Sequence, residues 1–420
     1  MVDYVKSTNF ASKDSLAIGN PLKIVKGTEI DTEFNNIATA VATKVDSANA
    51  QPLDPQLTTL AGMDSSRATF LAGTEGFSFR NRIINGDMRI DQRNAGAAVS
   101  VSTDASNYSV DRFKVAASGG GVVSAQRSTV APTGFTNSLL ITVTTADTSI
   151  AAGDYYQVQQ RIEGFNVADF NLGTASAITF TFSFWVRSSL TGTFGGSLYN
   201  NSGNRSYPFT YSVSSANTWE QKTVTVVGDT TGTWTTDNSA GLTLNFSLGA
   251  GSTYTDSAAG TWVGSLEFGA SGQINPIATN GATFQITGVQ LEAGSVATPF
   301  ERRDYGRELI MCQRYYAKIN SSGGGFNILA PATATTTSSV GAYVPFPVTM
   351  RAAPTFSYAN IILADSVVSS VVTSVGTVFA GNNTANVTFN GATAALTVFR
   401  PTPVISNNTT AGFIDMSAEL

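Results

Sequence analysis

Most side chains of this 420-residue chain that could take part in catalysis or ligand binding are uncharged. The sequence contains no histidine and a single cysteine, Cys312. A Ser-His-Asp triad, a Cys-His pair and a zinc site of His and Cys are therefore excluded, because each needs imidazole or several thiols. An intrachain disulfide is excluded too, and we expect Cys312 to be a small core residue on the apolar side of a helix.

Paired carboxylates would be the remaining means of hydrolysis, since most glycosidases use two of them. The acidic residues in the middle of the chain lie mostly beside Gly, Asn or Thr, which is typical of turns. We therefore interpret them as turn and surface residues, and we expect no enzymatic activity. They are Asp154, Glu163, Asp169, Asp229, Asp237, Asp256 and Glu267.

Aromatic rings next to amides and hydroxyls favour carbohydrate binding instead, because rings stack on sugar C–H patches while short polar side chains bond the hydroxyls. Residues 199–207 form the best candidate loop, with two tyrosines, several amides and one arginine. The alternative is that each ring packs against a sheet edge or another subunit. The candidate glycan-binding residues are Trp185, Tyr199, Asn201, Asn204, Arg205 and Tyr207.

Strands must position these side chains, and a period of two predicts them throughout residues 81–305. Apolar and polar residues alternate at 139–144, 178–187 and 242–248, as they do in sheets with one buried face. Gly288 separates two apolar pairs of opposite phase, which predicts a β-bulge there. The pattern indicates an antiparallel jelly-roll sandwich of about eight to ten strands.

The rest of the chain differs in composition and periodicity. In the N-terminal segment, Ile30, Phe34, Ile37 and Val41 form one apolar stripe on a helix that needs a partner. The fold class is mostly β, with this helical anchor, the jelly roll, a short helix and a small C-terminal β-sandwich. The expected segments are an N-terminal arm and helix (1–50), a neck linker (51–80), the jelly roll (81–305), a connecting helix (306–320) and a β-rich tip (321–420).

Charge and hydropathy limit the partners. The net charge is −5, and no basic cluster is longer than Arg302 and Arg303, so we expect no nucleic-acid binding. No run approaches the roughly 20 apolar residues of a membrane helix, and the N-terminus does not resemble a signal peptide. We expect synthesis in the cytoplasm and no membrane insertion.

Four segments of the sequence resemble parts of bacteriophage tail fibres. Residues 7–46, STNFASKDSLAIGNPLKIVKGTEIDTEFNNIATAVATKVD, resemble the N-terminal attachment segment of fibres from short-tailed, T7-like phages. Residues 84–93, INGDMRIDQR, and 283–318 resemble the opening and closing segments of a carbohydrate-binding-module-like jelly roll common in phage fibres. The last residues, 413–420, resemble the AEL ending of many fibre tips.

The resemblance implies a homotrimeric fibre in the virion tail that recognises a host surface polysaccharide or protein. Residues 1–50 would attach it to tail proteins, with Phe10, Ile30, Phe34, Ile37 and Val41 as contacts. Excess valine in the tip also favours burial between subunits.

Two alternatives remain, a purely structural fibre or collar protein and a glycan-degrading tailspike. No cofactor is expected, although Asn85, Asp87 and Glu292 could hold a structural calcium ion if the first and last strands pair.

Overall fold

A computed structural model describes residues 4–44, 79–103, 105–321, 323–365, 367–393 and 395–420. The chain divides into two compact units, residues 1–76 and 77–420. The neck linker predicted for residues 51–80 lies almost wholly outside the described residues.

The described part of the first unit contains two α-helices, α1 (Phe10–Asp14) and α2 (Gly27–Lys44), with a short 3-10 helix (Pro21–Lys23) between them. The arm before α1 is tied to α2, because Glu33 accepts hydrogen bonds from the hydroxyls of Tyr4 and Ser7. Phe10 is half-buried at the start of α1. The predicted stripe on α2 is exposed, with exposed fractions of 40% for Ile30, 64% for Phe34, 40% for Ile37 and 50% for Val41.

The described part of the second unit begins with a jelly roll in which two six-stranded antiparallel sheets pack face to face. This exceeds the expected eight to ten strands, because the first two strands are too short or too polar to show clear alternation. The strands are β1 (Val99–Val101), β2 (Ala105–Val110), β3 (Phe113–Ala117), β4 (Val122–Ser128), β5 (Ser138–Thr145), β6 (Tyr155–Glu163), β7 (Phe180–Ser188), β8 (Gly192–Tyr199), β9 (Ser206–Val213), β10 (Glu220–Val226), β11 (Ala240–Ala250) and β12 (Thr283–Ala293).

The strand order is β1-β4-β5-β12-β7-β10 in the first sheet and β2-β3-β6-β11-β8-β9 in the second. The inner faces form an aromatic core in which Phe182, Phe184 and Phe246 are fully buried. The mostly β fold with an antiparallel sandwich is thereby confirmed, since period-two alternation requires one buried face per strand.

The predicted bulge at Gly288 is confirmed. The pairing of β12 with β7 shifts between Thr287 and Gln290, and Gly288 has φ +61°. The shift brings Val289 into the same core as Ile286 on the other side of the glycine. An extra residue in one strand restores the inward phase, as a bulge must.

The beginning and end of the jelly roll are bonded side by side through a group that we name the base clamp, Asn81, Glu301 and Arg303. The Arg303 guanidinium donates to the carbonyls of Asn81 and Ile83 and pairs with Glu301 at 3.0 Å. The Glu301 carboxylate also accepts the Asn81 N–H at 2.7 Å. Residues 220 positions apart are thus held at one point of the sandwich.

A short helix, α3 (Tyr305–Gln313), follows the clamp and begins at Asp304, whose side chain accepts the Arg307 N–H. Cys312 is fully buried on it, as predicted, and burial raises the pKa of its thiol. The helix is shorter than the expected 306–320. Tyr316–Asn320 form a strand instead, because Phe413–Ser417 pair with them as an antiparallel neighbour.

The tip consists of two further antiparallel sheets among the described residues. Their strands are β13 (Tyr316–Asn320), β14 (Ile328–Ala330), β15 (Ala332–Ala334), β16 (Ser339–Pro345), β17 (Thr355–Ala359), β18 (Ile361–Ala364), β19 (Ser369–Ala380), β20 (Thr384–Gly391), β21 (Val404–Ser406) and β22 (Phe413–Ser417). The strand orders are β13-β22-β17 and β14-β21-β18-β19-β20-β16-β15. The predicted terminal strand is confirmed as β22.

The tip contacts the jelly roll through a buried ion-pair group. Glu419 follows β22 and pairs with Arg112 and with Arg93, the latter at 3.0 Å. Arg314 and Tyr315, after α3, both bond the buried Glu163 carboxylate of β6. Within the described part of the chain, no helix combines the length and apolarity needed to cross a membrane.

Candidate functional site

The second sheet of the jelly roll carries a groove of about 370 Å³ on its outer face. The floor of the groove consists of rows of outward-facing side chains, which the pairing of neighbouring strands aligns. Arg161 on β6 pairs with Thr243 on β11, which pairs with Tyr199 on β8. In the next row, Lys114 on β3 pairs with Gln159, which pairs with Asn245. Neighbouring strands lie about 4.8 Å apart, so each row spans the groove.

Strand β6 supplies most of the floor because its alternation is strict. Tyr156, Val158 and Ile162 point into the core, while Tyr155, Gln157, Gln159 and Arg161 line the groove. Residues of one phase share one face of a strand, so the core packing of the first set fixes the direction of the second.

Aromatic rings form one wall. Tyr155 and Tyr199 both meet the ring of Phe268 edge to face, with centroids 4.9 and 5.7 Å apart. Tyr254 adds a fourth ring, 4.5 Å from Phe268. Such contacts hold rings rigidly, and an apolar wall of this kind suits the C–H face of a sugar ring.

An amide row lies beside these rings. The Tyr199 hydroxyl donates to Gln159 Oε1 at 2.6 Å, and burial raises the pKa of that phenol, so it remains a donor. Gln157 is 4% exposed, yet its Oε1 accepts no hydrogen bond from any described residue. A buried polar atom without a partner costs roughly 1–3 kcal/mol, which makes Gln157 a candidate for bonding a ligand.

The chain between β11 and β12 covers the far side of the same face. Asn245 Nδ2 donates to the Phe268 carbonyl at 2.7 Å, and Gln273 Nε2 donates to Ser247 Oγ at 2.7 Å. Leu266 and Phe268 of this segment also line the groove. The segment thus turns an open sheet face into a bounded groove.

The structure brings two of the six predicted glycan residues into this groove. Tyr199 and Asn201 line it, together with Ser202 and Gly203 of the β8–β9 turn. Asn204 shapes that turn instead, because its Oδ1 accepts from Asn200 Nδ2 and Ser202 Oγ at 2.8 and 2.9 Å.

The other three predicted residues do not line the groove. Arg205 makes a bidentate pair with the buried Asp229 at 2.6 and 2.8 Å. Tyr207 has the opposite phase to Tyr199 and points inward against Trp262. Trp185 is half-buried on the outer face of the other sheet. The candidate loop therefore divides between two sides of the sandwich.

The expectation that the acidic residues are turn and surface residues is wrong for three of them. Glu163 bonds Arg314, Asp229 bonds Arg205, and Glu267 accepts hydroxyl donors from Ser257 and Ser265. All three carboxylates are buried, because each has partners that offset its desolvation. Each is committed to these structural contacts.

Five further groove residues were not predicted from the sequence: Lys114, Tyr155, Gln157, Gln159 and Arg161. The signal was present in the polar phase of β6, where a tyrosine, two glutamines and an arginine recur at every second position. A row of large amides flanked by a ring and a cation is unusual for a solvated face, which more often carries Thr, Lys or Glu.

The three residues considered for calcium have protein partners. Asn85 (φ +59°) shapes a turn and bonds Ile90 in both directions. Asp87 pairs with Arg89, and Glu292 accepts from Gln290 and Thr298. Among the described residues, no group of three or more acidic or cysteine side chains could hold a metal ion.

Comparison with known proteins gives structural likenesses only. No family model matches the sequence, and no curated protein matches it.

Similar solved structures include the enzymatically active domain of tailspike protein 4 from bacteriophage CBA120, with 14% identity and a TM-score of 0.27. That match covers 51% of this chain but only 21% of the tailspike chain. A putative sugar-binding protein from Bacteroides thetaiotaomicron is 10% identical (TM-score 0.28) and matches over 51% of this chain and 100% of its own. A family 11 carbohydrate-binding module from Clostridium thermocellum, in complex with a mixed-linked tetrasaccharide, is 11% identical (TM-score 0.24) over 46% and 96% of the two chains.

Proposed function

We propose that the chain binds a carbohydrate in the groove of its second jelly-roll sheet and does not cleave it. The observation that supports this best is the joint presence of an aromatic wall and a buried Gln157 Oε1 that has no partner among the described residues. A sugar offers both complementary surfaces, a C–H face for the rings and a hydroxyl donor for the amide oxygen.

The groove suits binding better than hydrolysis. Cleavage of a glycosidic bond generally requires an acid and a second carboxylate about 5 to 10 Å apart. Among the described residues that line the groove there is neither Asp nor Glu. Its polar groups are amides, hydroxyls and cations, which orient a sugar without supplying a nucleophile.

The biological role that we propose is that of a phage tail fibre which contacts the host surface. The support comes from the resemblance of residues 7–46 and from the exposed stripe of Ile30, Phe34, Ile37 and Val41, which offers a docking face for tail proteins. Three copies would multiply weak sugar contacts through avidity. Particles assembled with Phe34→Asp should lack the chain, as mass spectrometry of purified virions would test.

Two glutamines on one strand test the groove. Gln157→Ala should abolish glycan binding but keep or raise the melting temperature, because it removes a buried acceptor without a partner. The matched control is Gln160→Ala on the inner face, where the amide bonds the Ile84 backbone twice at 2.8 Å. This control should lower stability and leave binding intact.

Binding would be measured on an array of bacterial surface polysaccharides with the full-length chain. Unchanged binding by Gln157→Ala would place the ligand elsewhere. Failure of the wild-type chain to retain any glycan would contradict the proposed function and favour the purely structural fibre.

A further inference from the structure

The groove carries positive charge on a protein whose net charge is −5. Its charged lining residues are Lys114 and Arg161, among the described residues that form it. They lie on neighbouring strands, because Lys114 pairs with Gln159 and Arg161 follows Gln159 by two positions on the same face. Such diagonal neighbours are about 7–8 Å apart at their Cα atoms, within reach of one anionic group.

Neither cation forms a hydrogen bond or an ion pair within the described part of the fold. Within the described part of the chain, the Lys114 ammonium and the Arg161 guanidinium have no hydrogen-bond acceptor and no carboxylate within 4.0 Å. The buried arginines of the same unit behave differently, since Arg112 pairs with Glu419 and Arg303 with Glu301.

The nearby carboxylates are engaged elsewhere. Glu419, which acts on Lys114 through space, pairs directly with Arg112 and Arg93. Glu267, beside the groove residues Leu266 and Phe268, bonds Ser257 and Ser265. No protein group therefore lies between the two cations as a counter-ion in the described residues.

The two cations also disfavour each other. Burial first, and then the charge of Arg161, lower the pKa of Lys114 below its usual range, while Glu419 opposes this effect. An anion bound between the two side chains would remove the repulsion and would accept several charge-assisted hydrogen bonds at once.

We propose that the ligand of the groove is an acidic oligosaccharide whose carboxylate lies between Lys114 and Arg161 while its sugar rings meet Tyr155 and Tyr199. This inference rests on the proposed carbohydrate binding and adds the chemical class of the sugar. The planar guanidinium of Arg161 suits the two oxygens of a uronic acid, and the ammonium adds a point charge.

The test compares each acidic polysaccharide of the bacterial array with its own carboxyl-reduced form, which keeps the sugar skeleton and loses the charge. The full-length chain should bind an acidic member and lose at least about tenfold in affinity when the carboxyl is reduced. Added salt should weaken the binding of the acidic form more than that of the reduced form.

Charge variants sharpen the comparison. Lys114→Gln and Arg161→Gln should each lose roughly tenfold for the acidic glycan and almost nothing for the reduced one. Both should fold normally, since neither charged group has a hydrogen-bond or ion-pair partner among the described residues. Arg161→Lys should recover part of the affinity. Arg302→Gln removes an equal charge from an exposed position outside the groove and serves as the control.

The outcomes separate the two proposals. Equal binding of acidic and reduced glycans, or equal losses for both in Arg161→Gln, would overturn the acidic-sugar inference and leave carbohydrate binding intact. Selective retention of phosphorylated glycans without carboxyl groups would overturn the uronic-acid assignment. Retention of no glycan at all would overturn both proposals.

Discussion

At the scale of single residues, Gly288 shows how one position aligns a strand with the core. Its φ is +61°, and an added Cβ would lie 2.7 Å from Phe135 Cζ and 3.0 Å from Trp185 Cδ1. We expect Gly288→Ala to lower the free energy of unfolding by about 2–4 kcal/mol, from backbone strain and from the steric clash together. Urea unfolding would measure it.

Gly281 is the matched control for this substitution. It has φ +76°, but an added Cβ would meet nothing within 4 Å. Gly281→Ala should therefore cost only the backbone term, about 1 kcal/mol. Equal losses in the two variants would show that the clash at the bulge contributes nothing.

Asp111 links stability to pH. It is buried, and that burial raises its pKa from 3.8 to about 6, although Arg93 and the Gln92 hydrogen bonds oppose the shift. Because the folded state then binds a proton that the unfolded state releases, this stabilisation is present below about pH 4 and disappears as the pH rises through about 6.

We expect the free energy of unfolding of the wild-type chain to fall across this window by roughly 1–3 kcal/mol relative to Asp111→Asn, which cannot ionise. Urea titrations of both proteins at a series of pH values would measure the difference. Parallel curves would mean that Asp111 ionises at the same pH in both states.

At the scale of elements, the segment after β22 holds the tip to the jelly roll. Glu419 neutralises Arg112, which has only 2% of its side chain exposed. Glu419→Gln should cost about 3–5 kcal/mol, because it leaves a buried cation without its counter-ion. The control is Asp169→Asn, whose carboxylate is 53% exposed in its pair with Arg82. Calorimetry should show a change within about 1 kcal/mol for that control.

Elements also show what the sequence can predict. The strands around residues 180–188 and 240–250 were found because alternation is a local property. The strand Tyr316–Asn320 was missed because its pairing partner, Phe413–Ser417, lies almost a hundred residues later. A short strand whose stability comes from a distant neighbour leaves little local pattern.

The groove shows the same limit for function. Tyr199 was predicted because of the composition of its loop. Gln157 and Gln159 were not, because their alternation is that of an ordinary solvent-facing side of a strand. Only the three-dimensional structure shows that both glutamines are buried and that Gln157 Oε1 has no partner among the described residues. The proximity of the two cations Lys114 and Arg161 likewise depends on the register of two strands.

At the scale of the whole molecule, the tip exposes several large apolar side chains, and grouped side chains of this kind often mark a protein interface. Phe379 on β19 and Tyr343 on β16 flank Asn386 on β20 in one row, with exposed fractions of 73% and 54% for the two rings. Further exposed apolar side chains of the tip are Phe326, Ile328, Val367, Val371 and Phe399.

We expect the chain to form an oligomer through this surface, and we predict that the oligomer is a trimer. Light scattering should show a lower mass for the Phe379→Ser, Tyr343→Ser double variant than for the wild-type chain. Val130→Ser, which alters an apolar side chain of the jelly roll that is 50% exposed, should leave the mass unchanged. A monodisperse wild-type monomer would contradict this prediction.

The base clamp has a mechanical consequence for any molecule that is pulled while attached at two ends. A pulling force between residue 79 and the tip passes directly from Asn81 to Glu301 and Arg303, because hydrogen bonds join these residues. The twelve-stranded sandwich in the described part of the second unit therefore lies beside the load path. The groove can therefore keep its shape under tension. In a domain without such a contact between its two ends, the same force would act on every strand.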